Sequence, residues 1–285
     1  MLLADLDWGG GNLRTLFGSE PAEYDVADLA EGRGPDTPSA LPMVRTGLRL
    51  VPGISGFFDV PTVQARMDLL NLLQRMPSHH VVMDLGAGTD AEVVTPFLDA
   101  DFPLLVTLPD PVGIENTYRF LGGLVRQRTL EMLNLVEGDR LQALRALDGV
   151  RSMVELERRA DELHRSTPDL VSRVRDGLAG RPIYVVMNKV RRMADLEAAS
   201  GLEAMARNTF GCDLRTVGAI QFDDRVWIAL RKNSAISDWG VASRLGEEMK
   251  ELVDALLQEL GIPLENRTFG VARVGESATA RAGSM

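Results

Sequence analysis

Two acids stand two residues apart near the front of this sequence, and their setting gives them possible chemistry. Asp5 and Asp7 close the apolar run LLA, and three glycines, Gly9, Gly10 and Gly11, follow. A second apolar run, HHVVMD, ends in Asp84, with Gly88 four residues later. A third, RPIYVVMNKV, ends in Asn188 and Lys189. Each run reads as a buried strand whose polar groups sit at its carboxyl end. In an open parallel sheet that is the end where ligands bind. Acids at neighbouring strand ends suit a hydrated Mg²⁺, which takes oxygen ligands and keeps several waters. A glycine four residues after the acid lets backbone N–H groups approach a phosphate. Acids also end strands simply as helix caps and turn formers. The D-x-D and D-x-x-x-G spacings at two strand ends favour the functional reading.

The elements that must position these groups alternate along the chain. Strands are read at 48–53, 79–88, 103–111, 181–190 and 214–222, besides the one ending at Asp5. Helices are read at 62–76, 92–100, 113–135 and 240–261. In the first of these helices Val63, Met67, Leu70 and Leu73 recur near a 3.6 period. Gly261 is the natural stop of the last. Near-continuous apolar strands separated by helices predict an α/β fold, a mostly parallel sheet with helices on both faces. One domain over 1–265 is expected, with a Gly/Pro linker at 31–42 and a disordered tail at 266–285. Residues 126–180 differ from the rest. They hold ten Arg and ten acids, no Lys and no strand pattern. One or two surface helices inserted between strands are expected there, either a solvated excursion or a partner-binding element.

Composition narrows the classes. Of 285 residues, 45 % are hydrophobic and 25 % charged, as in an ordinary globular protein. The single Cys212 allows no internal disulfide and fits a reducing, cytoplasmic setting. It reads as a packing residue. No apolar run is long enough to span a bilayer, and no signal-peptide pattern is present. The net charge of −10 disfavours a large nucleic-acid footprint. His79 and His80 read as strand-start residues and His164 as a surface residue. Trp8 could either stack near a ligand or cover the sheet edge.

Four segments together carry a resemblance: LLADLDWGGGNLRTLFG, VVMDLGAGTDAEVVTPFLDADFPLLVTLPDPVGIENTYRFL, VVMNKV and VGAIQFDDRVWIALRKN. They resemble the MinD/ParA group of P-loop ATPases. Within it they are most similar to the MinD-like branch that includes the flagellar-number regulator FlhG (FleN). The resemblance spans most of 1–125 and 181–260. It implies an ATP- and Mg²⁺-dependent switch. Asp84 would hold Mg²⁺ through water, with Asp5 as the second acid of the metal site, and Gly88 would belong to the second switch. Asp5 and Asp7 would lie in the first switch, with Asp7 orienting the attacking water. Asn188 would contact adenine, and Phe222, Asp223 and Asp224 would close over the base. The family commonly has proline where this chain has Gln221.

One part of that pattern is missing. The family places a first strand, a glycine-rich loop with two lysines and a helix ahead of the D-x-D strand. That first strand lies between the strands equivalent to 81–84 and 104–107. The chain has only Lys189, Lys232 and Lys250, and none follows a glycine-rich turn. The Gly9–Gly11 run lacks a lysine and reads as a turn. Two explanations stay open: a sequence cut at the front, or a degenerate ATPase acting as a protein-interaction scaffold. The cut is favoured, because losing a central strand leaves a gap unless its neighbours pair, and buried unpaired backbone groups cost about 1–3 kcal/mol each. The resemblance further implies an ATP-dependent homodimer, a protein partner, and a role in flagellar placement or cell division. The end, RTFGVARVGESATARAGSM, has no apolar face, so no membrane-targeting helix is expected. A dinucleotide enzyme is disfavoured because no G-x-G-x-x-G with a downstream acid is present.

Overall fold

The structure, a computed structural model, describes residues 1–56, 61–135, 138–231 and 243–261. Among them, seven strands form two sheets. The first contains β1 (Leu2–Asp5), β2 (Met43–Arg45), β3 (Leu48–Val51) and β4 (Val81–Asp84), in the order β2-β3-β1-β4. The second contains β5 (Leu104–Thr107), β6 (Ile183–Val190) and β7 (Leu214–Gln221), in that order. Every neighbouring pair is parallel except β2 with β3. Parallel neighbours need crossovers, and helices supply them. The α/β architecture expected from the strand–helix alternation is therefore present, with shorter strands at the acid ends than the apolar runs suggest.

The helices run in chain order as α1 (Leu13–Leu16), α2 (Val26–Ala30), α3 (Val63–Arg75), α4 (Ala91–Asp99) and α5 (Pro111–Leu133). Next come α6 (Arg140–Ala146), α7 (Met153–Arg158), α8 (Ala160–Ser166) and α9 (Leu170–Ala179). The last are α10 (Glu197–Met205), α11 (Asp224–Arg231) and α12 (Arg244–Glu259). Local chemistry sets their ends. Thr62 caps α3 by accepting the Ala65 N–H at 3.2 Å, and Asp110 caps α5 by accepting that of Gly113 at 2.8 Å. Pro111, with no N–H to lose, opens α5. Gly261 takes a left-handed φ of 66° just past α12, as its expected role as a stop requires. Residues 240–242 of the helix expected at 240–261 lie outside the described residues, as do Lys232 and the tail at 266–285.

Two apolar clusters hold the layers. One joins Leu2, Ala4 and Leu6 to Leu29 of α2 and to Leu69 and Leu73 of α3. The other joins β6 to α5, α9 and α10 through residues such as Val185, Leu124, Val174 and Leu202. Three expectations need correction. On α3 the buried stripe is Leu69 and Leu73, while Val63 and Met67 are exposed. Residues 126–180 hold the end of α5 and four further helices, not one or two surface ones. Leu156, Leu163, Leu170, Val174 and Leu178 are buried in the larger cluster, so this stretch is built into the core. The 31–42 segment is also tied down, because Leu41 is buried against the first cluster.

Among the described residues the two sheets do not join. β4 is an edge of the first and β5 an edge of the second. A cleft of about 2440 Å³ lies between them.

Candidate functional site

The register of β1 with β4 places Asp5 directly beside Asp84. The two acids read from separate runs therefore meet at one sheet end, and Asp7 follows on the turn beyond. Asp5 is buried. Its Oδ2 accepts the Leu13 N–H at 3.0 Å and its Oδ1 that of Asp7 at 3.4 Å. Burial raises its pKa above the ordinary aspartate value, partly offset by those two donors, and the charges of Asp84 and Asp7 add to the rise. Asp5 thus spends its oxygens fastening the start of α1 to the strand end. Asp7 Oδ1 accepts from the Gly9 and Gly10 N–H groups at 3.3 and 3.1 Å, which closes the glycine turn. Asp84 is exposed and opens on the cleft.

Glycines crowd these carboxylates. A Cβ on Gly11 would fall 2.7 Å from Asp5 Oδ1. A Cβ on Gly86 would fall 2.7 Å from Asp7 Cγ, and Gly86 also has φ +66°. Gly88, singled out by its spacing from Asp84, has only Val93 within 4 Å, at 3.2 Å. Gly86 is therefore the glycine that lets the β4 loop approach the D-x-D turn. The sequence signal for it, the G-x-G of LGAG, was present, but its backbone conformation was not visible there.

A second cluster forms at the ends of β6 and β7. The Phe222 N–H donates to Val190 O at 2.8 Å, which brings Phe222 beside the end of β6. Asn188 Oδ1 accepts the N–H of Lys189, which takes an uncommon φ of 57°. Asp223 is engaged within its own turn. Its Oδ1 accepts both the backbone N–H and the Nε of Arg225 at 2.9 Å. The Arg225 guanidinium, with that backbone N–H and the more distant Arg244, holds the Asp223 carboxyl down to about 2. Asp223 is accordingly a helix-start clamp for α11. The sequence did not single out Arg191, whose guanidinium lies 3.6 Å from the centre of the Phe222 ring. The Arg191 guanidinium thus covers one face of the Phe222 ring, a cation–π contact at the end of β6. Asp224 is exposed at the first turn of α11.

The remaining candidates fall to packing. Trp8 faces Arg66, 5.2 Å from the ring centre, and Arg66 pairs with Glu92 of α4. Trp8 therefore bridges toward α3 and α4, covering the sheet. Cys212 is buried, and burial pushes its thiol up to about 12. His79 and His80 stand at the start of β4 on the far rim of the cleft. Among the described residues no group of three or more His, Cys, Asp or Glu is placed to hold a metal ion. The donor set still fits a hydrated Mg²⁺, which needs only one or two carboxylates. Asp84 is the free one and Asp5 its neighbour. Cations lining the cleft are Arg119, Arg126 and Arg151, and Arg119 is paired with Glu115.

Several solved structures share this fold. MinD cell division protein of Aquifex aeolicus aligns over 92 % of this chain and 84 % of its own, with TM-score 0.54 and 17 % identity. The cell division ATPase MinD of Pyrococcus furiosus aligns over 91 % and 86 %, with TM-score 0.56 and 14 % identity. The septum site-determining protein MinD of Pyrococcus horikoshii, solved as a complex with Mg-ADP, aligns over 91 % and 84 %, with TM-score 0.55 and 14 % identity. The fold is that of the MinD/ParA P-loop ATPases. No protein-family profile matches the chain, and no curated protein matches it.

Proposed function

We propose that this chain carries the switch and base-binding parts of a MinD/ParA-like nucleotide-dependent positioning protein, in flagellar placement or cell division. The observation that carries the reading is Asp5 beside Asp84 at the sheet end, with Asp7 on the glycine turn that follows Asp5. In this reading Asp84 anchors the hydration shell of Mg²⁺, which would neutralise phosphate charge. Asp7 orients the attacking water. Asp5 holds the turn in place. Asn188 and Phe222, with Arg191, receive the adenine. The Mg-ADP bound to the Pyrococcus horikoshii protein supports the choice of ligand. An ATP-dependent homodimer and a protein partner follow from the same reading, as does a cytoplasmic location; no described helix is long and apolar enough to cross a membrane.

What the 285 residues lack is a lysine following a glycine-rich turn. That observation favours a second reading, a pseudo-ATPase scaffold that neither binds nucleotide tightly nor hydrolyses it. Calorimetric titration of the chain with ATP and ADP, with and without Mg²⁺, separates the two. Mg²⁺-dependent binding that disappears in Asp84→Asn supports the nucleotide reading. Absence of binding in a folded chain supports the scaffold.

A further inference from the structure

The helices between α5 and β6 turn most of their apolar side chains inward, but α6 has a second apolar face. Its Ala143 and Ala146 are buried in the larger cluster, and the helix packs on α8. At 3.6 residues per turn, Leu141 and Leu144 fall on the opposite side. They are 61 % and 39 % exposed, and Leu135, in the link before α6, is 68 % exposed. A helix that buries one side and leaves leucines on the other carries more apolar surface than its core contact uses.

This face is held in place. Asp139 caps α6 by accepting the Gln142 N–H at 3.0 Å, and its own N–H donates to Ser166 O, at the end of α8, at 2.9 Å. Gly138, with φ +141°, lies so close to Ser166 that a Cβ would strike its carbonyl oxygen. Gly138 and Asp139 are thus pressed against α8, and α6 presents its leucines from a fixed position. A face already ordered loses less freedom when something docks on it.

The charges indicate what fits. Arg145 lies one turn beyond Leu141, and Arg140 one turn before Leu144, so each leucine has an arginine beside it. Both arginines are exposed, and among the described residues neither makes a hydrogen bond or an ion pair. Other arginines of the same stretch are engaged. Arg175 pairs with Glu157, Arg128 with Glu131, and Arg159 and Arg165 donate to backbone carbonyls. The described acids nearest α6 in sequence are Asp139, taken by the cap, and Asp148, beyond the helix end. Unpaired guanidinium groups beside exposed leucines complement carboxylates flanking apolar side chains. A second copy docking through the same face would bring Arg140 and Arg145 against their own equivalents, because a two-fold contact joins one patch to itself.

We infer that the outer face of α6 is a docking surface for an acidic amphipathic helix of a protein partner. Its apolar residues, three or four apart, pack on Leu141 and Leu144. Its Asp or Glu residues pair with Arg140 and Arg145. The inference stands apart from the nucleotide reading, since α6 contributes nothing to the acid-bearing sheet end or to the Asn188–Phe222 cluster.

The test selects a phage-displayed library of helical peptides on the immobilised full chain, after depletion on the Leu141→Ser/Leu144→Ser variant. One enriched peptide is then synthesised and titrated by fluorescence anisotropy. The expected sequences carry Asp or Glu beside Leu, Ile, Met or Phe at i, i+3 or i, i+4 spacing. Affinity should fall at least about tenfold in Leu141→Ser and in Arg145→Glu. A peptide with Lys in place of its acid should recover binding to Arg145→Glu. Circular dichroism confirms that the variants are folded; the replaced side chains are all exposed. No enrichment, enrichment of basic or uncharged sequences, or binding that ignores these substitutions overturns the inference. Anionic vesicles that bind through Leu141 and Arg145 where acidic helices do not also overturn it. So does self-association of the chain, read by sedimentation, that disappears in Leu141→Ser, because a second copy then fills the face.

Discussion

Replacing Gly86 by alanine tests the placement of the acid-bearing turn most sharply. The new Cβ would sit 2.7 Å from Asp7 Cγ and 2.9 Å from Asp7 Oδ1, so the carboxylate must move. Gly86 also has φ +66°, a conformation that costs an alanine roughly 1–2 kcal/mol. Forced displacement of a packed neighbour adds about 1–3 kcal/mol. The sum, on the order of 2–5 kcal/mol, lowers Tm by about 4–20 °C at roughly 2–4 °C per kcal/mol. Thermal unfolding by circular dichroism reads it. Gly88→Ala is the matched control. Its Cβ meets only Val93 Cγ2 at 3.2 Å, the far end of a side chain, and it carries no left-handed φ. Gly86→Asn separates the two contributions, because asparagine tolerates the left-handed region but keeps the collision. The reasoning is refuted if Gly86→Ala melts with the wild type, or if Gly88→Ala costs as much.

Three further outcomes follow from the same geometry. Asp5 has a raised folded-state pKa, so it favours folding when protonated, and stability falls as pH rises from the ordinary aspartate value through the folded one. Asp5→Asn keeps an acceptor for Leu13 and removes that slope; urea unfolding at acid and neutral pH should show the variant gaining on the wild type as pH rises. Asp223 is the opposite case. Its folded pKa of about 2 contributes stability above the ordinary aspartate value that is lost as pH falls toward 2. Asp223→Asn should lose α11 protection at neutral pH and show a smaller acid-induced loss by hydrogen exchange. Cys212, buried with its thiol near 12, should resist an aromatic disulfide reagent at pH 8 until the chain is unfolded, and a fast native reaction would contradict its placement.

Much of the fold was legible because buried parallel strands write themselves as apolar runs. LLAD, VVMD and IYVVMNKV needed no long-range information as strands, whereas the register that sets Asp5 beside Asp84 is a long-range pairing that neither run encodes. What was hidden depended on conformation or on partners. Gly86 rather than Gly88 meets Asp7 because of a backbone angle that spacing does not encode. Asp223 turned inward to Arg225, a neighbour whose side-chain direction the sequence does not fix. The helices of 140–179 were masked by their dense charge, although Leu156, Leu163 and Leu170 recur every seven residues and Leu170, Val174 and Leu178 every four. That apolar stripe was the available sign of burial. The interrupted sheet was foreshadowed by the family resemblance alone, since no local pattern says that two strands far apart in sequence leave their facing edges unpaired.

In the proposed reading the acid-bearing sheet end and the Asn188–Phe222 cluster receive one nucleotide. The direct measurement is a titration of the ¹⁵N-labelled chain with Mg-ADP, followed by amide chemical shifts. Mg²⁺-dependent shifts are expected at Gly9–Leu13, at Gly86–Gly88, and at Asn188, Arg191 and Phe222. Shifts confined to other surfaces, or none at millimolar ligand with the β6 amides at their folded positions, would contradict it and leave the scaffold reading.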